Sequence, residues 1–238
     1  MGRGLVCALG VLVPMGLTGC DSGRRGPDPV RSSDAQVSSA PAEPGSLRAD
    51  PADARPVVVF LGTSLTAGYG LEDPSLAFPA LVQARIDAAG LDYRVVNGGV
   101  SGDTSAGGLR RVDWLLEQPV AVLVLELGAN DGLRGQDPEA LKENLLEVIR
   151  RTRAAHPEAR VLVAGMEAPP NLGDRYTARF RGVFREVADE TGATLLPFLL
   201  EGVAGEPALN QEDGIHPTPE GHRVVADHVW AALEPLLR

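Results

Sequence analysis

From Pro56 to the C-terminus, short unbroken apolar runs alternate with amphipathic stretches, and this alternation restricts the possible folds more than any other feature of the chain. Val57-Val58-Val59-Phe60-Leu61 and Val120 to Leu127 are brief and rich in β-branched residues. Such runs suit strands covered on both faces, because a strand with one wet face would alternate apolar and polar side chains. Arg94-Val95-Val96 and Arg160-Val161-Leu162-Val163-Ala164 predict two more strands, and Thr194-Leu195-Leu196 a weaker fifth.

Helix signals fill the gaps. Asp137-Pro138-Glu139 supplies a cap, a first-turn proline and an acid at the positive end of a helix dipole. Leu141, Leu145, Val148 and Ile149 then share one face, Arg150, Arg151 and Arg153 suit the C-terminal end, and the helix must stop before Pro157. Phe180, Val183, Phe184 and Val187 repeat the spacing, with Gly192 as the predicted C-terminal cap. Thr218-Pro219-Glu220 opens a last helix that buries Val225, Val229, Ala232, Leu233 and Leu236. Trp114 and Trp230 fall at apolar helical positions and are expected in the core. Strand, helix, strand, helix predicts an α/β fold: a five-stranded parallel sheet with right-handed crossovers and helices on both faces.

Functional sites in such sheets lie beyond the carboxyl ends of the strands. The segments expected there are Gly62-Thr63-Ser64, Asn97 to Thr104, Gly128-Ala129-Asn130-Asp131, Met166 to Gly173, and the stretch leading to Asp213 and His216. A serine hydroxyl is a poor nucleophile until a base takes its proton, and imidazole does this near neutral pH when a carboxylate orients it. Asp213 and His216, three residues apart, supply carboxylate and base from one piece of chain, and Ser64 reaches them through the fold. Cleaving an ester creates an oxyanion that needs donors. The backbone N–H groups of Ser64 and Gly102 and the side-chain amide of Asn130 are the candidates.

Four ordered segments then match a family: Leu61-Gly62-Thr63-Ser64-Leu65-Thr66-Ala67-Gly68, Asn97 to Ser105, Gly128-Ala129-Asn130-Asp131-Gly132-Leu133-Arg134-Gly135 and Asp213-Gly214-Ile215-His216-Pro217. The domain from 56 to 238 resembles the SGNH hydrolases, also called GDSL esterases. It is most similar to their bacterial periplasmic thioesterase, lysophospholipase and arylesterase group. The resemblance implies a flavodoxin-like three-layer α/β/α sandwich and a mechanism without metal or cofactor. Ser64 would be the nucleophile, His216 the base and Asp213 its orienter, with Ser64, Gly102 and Asn130 as the oxyanion hole. Ala168, Pro169, Pro170 and Asn171 would wall an acyl pocket. One departure is plain: the family's Gly-Asp-Ser-Leu is here Gly62-Thr63-Ser64-Leu65, so an aspartate that helps fix the nucleophile loop is replaced by threonine.

Other residues have plainer explanations. His156 precedes Pro157 at a helix end and suits a dipole partner. His222 and His228 are six apart on one helix, which puts them on different faces and disfavours a metal pair. Thr66 stands where a Gly-x-Ser-x-Gly elbow needs its second glycine, which excludes that motif. Asp103 and Asp131 adjoin the site segments, and loop capping accounts for them equally well.

The chain before the domain is of a different kind. Met1-Gly2-Arg3 and the apolar run Leu5 to Leu17 have the form of a secretory signal, too short to span a membrane as a mature helix. Leu17-Thr18-Gly19-Cys20 resembles a lipobox, which makes 1–20 a lipoprotein signal peptide and Cys20 the acylated residue; ordinary secretion with an incidental cysteine is the alternative. Residues 21–55, rich in Pro, Ser, Gly, Ala and Asp, are expected to be a disordered tether. Cys7 and Cys20 are the only cysteines, so the domain can hold no disulfide, thiolate nucleophile or iron-sulfur cluster. A net charge of −10 without a basic cluster argues against nucleic acid. The expectation is an exported cell-envelope lipoprotein, on the periplasmic side of the inner or outer membrane, that hydrolyses a small-molecule or lipid acyl ester or thioester. An acetylesterase acting on envelope polysaccharide and a non-catalytic lipid-binding lipoprotein are the alternatives.

Overall fold

The computed structural model describes residues 54–238. The expected signal peptide, the lipidation site Cys20 and nearly all of the expected tether lie outside the described residues. Strand β1 (Val57–Gly62) is buried at every position and leads into a one-turn helix α1 (Ser64–Ala67). Helix α2 (Phe78–Ala88), strand β2 (Arg94–Gly99), helix α3 (Ser105–Leu115) and strand β3 (Val120–Glu126) follow. After a short helix α4 (Ala129–Leu133) come α5 (Pro138–Ala155), β4 (Arg160–Ala164), α6 (Asp174–Thr191), β5 (Thr194–Leu196) and α7 (Pro219–Leu237).

All neighbouring strands are parallel, in the order β2-β1-β3-β4-β5. The chain therefore starts in the middle of the sheet, turns one way to β2, and crosses back to β3. Loops leaving β1 and β3 diverge at that switch, which opens a crevice beyond their carboxyl ends. Helices α2 and α7 pack together, as do α3 with α5 and α5 with α6, which gives the three-layer α/β/α sandwich. The core is built from Phe60, Leu61, Leu123, Leu125, Phe180 and Phe184, each no more than 2% exposed. Side chains of this size contribute roughly 1.5–3 kcal/mol each when fully buried.

The expected strands are all present, with β1 and β2 running on into glycine at their carboxyl ends. Asp137 accepts from the Glu139 N–H at 3.0 Å, and Gly192 caps α6 with φ of 66°. Trp230 packs against the core as a half-buried residue. Trp114 does not: it is 41% exposed on α3, because the buried stripe of that helix runs through Gly107, Gly108, Val112 and Leu115. His156 is the C-cap of α5, and its Nε2 lies 2.9 Å from the Leu116 carbonyl.

Candidate active site

The turn carrying Ser64 is tied down from beneath. Glu126, at the last position of β3 and completely buried, takes four donors from it. The Thr63 N–H and hydroxyl donate at 2.8 and 3.0 Å, and the Thr66 N–H and hydroxyl at 3.3 and 2.8 Å. Thr63 is the N-cap of α1 but makes no capping bond with its own side chain. A carboxyl from β3 instead takes the Thr63 and Thr66 N–H groups of this turn. Burial outweighs these bonds and raises the Glu126 carboxyl above its ordinary value. Only glycine fits at 62, since a Cβ would lie 1.9 Å from Thr66 Oγ1 and 2.6 Å from Glu126 Oε2. The threonine in place of aspartate therefore leaves the turn anchored, with its hydroxyl spent on Glu126.

Ser64 Oγ lies 2.9 Å from His216 Nε2, and His216 Nδ1 lies 2.6 Å from Asp213 Oδ2. With Asp213 ionised, Nδ1 carries the proton and Nε2 is left to accept from serine. The other Asp213 oxygen accepts from the Ile215 and His216 N–H groups at 2.9 and 3.0 Å. The imidazole bond, followed by these backbone bonds, holds the Asp213 carboxyl down at about 2. Tyr69, just past α1, sets its ring 4.6 Å from the His216 ring. Gln211 secures the loop to that same segment by donating to the Tyr69 carbonyl at 2.8 Å.

Gly102 has φ of 83°, a backbone that glycine adopts readily, and Arg134 donates to its carbonyl at 3.0 Å. The Asn130 amide donates to the Asp103 carbonyl at 2.9 Å, which leaves its second N–H for another acceptor. Asp131 is buried and accepts from the Ser105 N–H and hydroxyl at 2.8 and 2.6 Å, so it locks α4 to α3.

Ser64, His216, Gly102 and Asn130 all line one cavity of about 700 Å3. Its walls are mainly apolar: Leu133, Met166, Ala168, Pro169, Pro170 and Phe198 are among them. Asn171, expected with the preceding three, is not on the wall. The chain turns outward in a short 3-10 segment, Pro170–Leu172, and Asn171 is exposed there. His222 is buried with Nδ1 accepting from the Phe78 N–H at 3.2 Å, and burial lowers it to about 4. No group of three or more His, Cys, Asp or Glu side chains among the described residues is placed to hold a metal.

Sequence reasoning passed over Glu126, which sat in plain view as one carboxylate inside an apolar strand. It also missed Arg111, Tyr69 and Phe198.

The model of the GDSL-like lipase/acylhydrolase family matches residues 60–224, a span that begins within β1 and takes in every segment around the cavity. The chain belongs to this family. Esterase TesA of Pseudomonas aeruginosa is 45% identical over 181 residues, covering 76% of this chain and 89% of that protein. The Escherichia coli protein named thioesterase 1/protease 1/lysophospholipase L1 is 39% identical over 194 residues, or 81% of this chain and 88% of its own length. A crystal structure of TesA superimposes with a TM-score of 0.72 at 45% identity, covering 76% of this chain and 99% of the other. In this SGNH hydrolase, as in TesA, the five-stranded parallel sheet with flanking helices is the scaffold.

Proposed function

We propose that residues 56–238 form a serine esterase and thioesterase that cleaves acyl esters through an acyl-Ser64 intermediate. The observation that carries this is the continuous relay from Ser64 Oγ through His216 to Asp213, at 2.9 and 2.6 Å, opening on an apolar cavity. His216 Nε2 takes the hydroxyl proton as Oγ attacks the carbonyl carbon, and Asp213 stabilises the resulting imidazolium. The oxyanion accepts from the Ser64 and Gly102 N–H groups and the free amide N–H of Asn130. His216 then protonates the departing alcohol or thiol. Water attacks the acyl-serine, giving its proton to His216, and the acid leaves as Ser64 recovers its hydrogen.

An intact relay argues against a decayed, merely lipid-binding site. Apolar walls of alanine, proline, leucine and methionine suit an acyl chain better than a polysaccharide. The test is turnover of a short chromogenic acyl ester and of an acyl thioester by the purified protein beside Ser64→Ala. Loss of about 10⁴-fold or more is expected for the variant; comparable turnover would refute the assignment. Export and anchoring through acylated Cys20 complete the proposal, on the lipobox-like Leu17-Thr18-Gly19-Cys20. Cys20→Ala should move the protein from the membrane to the soluble fraction, and a membrane-bound variant would count against the anchor.

A further inference from the structure

We propose that Arg111 is a positioning residue that sets the oxyanion donors against the nucleophile. The inference rests on the reading of Ser64, Gly102 and Asn130 given above. Arg111 lies in α3, and its guanidinium reaches three acceptors on two stretches of chain, at the end of β1 and at and just beyond the end of β2. Nη2 donates to the Gly62 carbonyl at 2.8 Å, Nη1 to the Gly98 carbonyl at 2.6 Å, and Nε to Asp103 Oδ2 at 2.6 Å. Arg111 and Asp103 side chains are only 20% and 19% exposed, so the pair is largely shielded from water.

Each acceptor leads to the oxyanion hole. Gly62 is two residues before Ser64, whose N–H is one donor. Asp103 directly follows Gly102, whose N–H is the second. The Asp103 carbonyl accepts one N–H of Asn130 at 2.9 Å, which orients the amide that supplies the third. Gly98 is the last residue but one of β2, the strand beside β1, and the Gly62 carbonyl also accepts from the Val100 N–H at 3.0 Å, so the two loops share one anchor. Gly107 leaves room for this arrangement, because a Cβ there would lie 2.4 Å from Asp103 Oδ1. A planar fork with several fixed donors can hold three acceptors at set angles, whereas a lysine ammonium would act as a single point charge. The oxyanion hole must fit the tetrahedral oxygen and not the flat substrate, so a misplaced donor lowers turnover more than binding.

The experiment compares wild type, Arg111→Lys, Arg111→Ala, Asp103→Asn, Asn130→Ala and the double variant Arg111→Lys/Asn130→Ala. Steady-state constants are measured with a soluble aryl ester, and affinity with an alkyl boronic acid that becomes tetrahedral on Ser64. Arg111→Lys should lower kcat by about 10- to 100-fold, the scale of a small misplacement of reacting groups, with KM changed less than about threefold. Boronate affinity should fall by a similar factor. The loss in the double variant should be smaller than the product of the single losses, because both act on one donor set. Should Arg111→Ala fail to fold, Arg111→Lys and Asp103→Asn carry the test. Wild-type kcat and boronate affinity in a folded Arg111→Lys would overturn the proposal, as would fully multiplicative losses. A kcat loss that leaves boronate affinity untouched would also overturn it. Ser64→Ala separates the two readings: an active Ser64→Ala sinks the nucleophile assignment, whereas an inactive one beside a normal Arg111→Lys sinks only the role of Arg111.

Discussion

A carboxyl group sealed from solvent is a costly neighbour for the turn that carries Ser64, and Glu126 persists there because four donors converge on it. Deleting it would leave those donors buried and unpaired, at about 1–3 kcal/mol each, so Glu126→Ala should be severely destabilised. Glu126→Gln is the informative change, since it keeps the shape and cannot ionise. Burial raises the Glu126 carboxyl above its ordinary 4.5. A raised folded value means that the stability it contributes is present in full below about pH 4.5 and is lost as the pH climbs through the folded value. The melting temperature of Glu126→Gln should therefore rise relative to wild type as the pH is raised from about 4.5. A difference that stays constant as the pH rises would contradict a raised Glu126 carboxyl. The sequence displays the glutamate but not its purpose. Its partner Thr63 is 63 residues away, and only the pairing of β3 with β1 brings the two together.

Elements that announce themselves do so through caps and periodicity, which is why α5, α6, α7 and the strands were legible. Helix α3 shows itself in the sequence only at Trp114, because Gly107 and Gly108 give it poor intrinsic helicity, roughly 1 kcal/mol per glycine relative to alanine. The structure supplies the reason for them. A Cβ on Gly108 would lie 2.3 Å from Leu127 Cδ1, so the missing side chain lets α3 approach the end of β3 closely enough for Arg111 to reach the loops. Gly108→Ala should gain about 1 kcal/mol of helix propensity and lose about 1–3 kcal/mol to overpacking, a net destabilisation. Gly182 in α6 is the control, because a Cβ there meets nothing nearer than Arg179 Nη1 at 3.7 Å. Gly182→Ala should stabilise by up to about 1 kcal/mol. Urea midpoints at unchanged slope would measure both, and equal shifts in one direction would contradict the packing argument.

Across the whole molecule, the strand order β2-β1-β3-β4-β5 decides where chemistry can occur, and the sequence pattern was enough to predict that loops after the strands converge. Ser64, Gly102, Asn130 and His216, expected near that edge by this rule, line one cavity. The wall was less legible, since Phe198, Leu200 and Ala204 come from the irregular stretch between β5 and α7, where no periodicity assigns a face. Asn171 was misplaced for the same reason: position after a strand says which loop faces the site but not where that loop turns away. The described wall allows a sharper test of substrate choice than removal of the loop. Ala168 lines the cavity and sits near α4, since a Cβ at Gly132 would lie 3.4 Å from its methyl group. Ala168→Phe should fill part of the space where an acyl chain would run while leaving the relay of Ser64, His216 and Asp213 untouched. Turnover of long-chain aryl esters should fall at least about tenfold, the scale of a few lost apolar contacts, and acetyl ester turnover should change less than about twofold. A chain-length series on both proteins measures this, and a profile that moves in parallel for short and long esters would place the acyl chain on another wall.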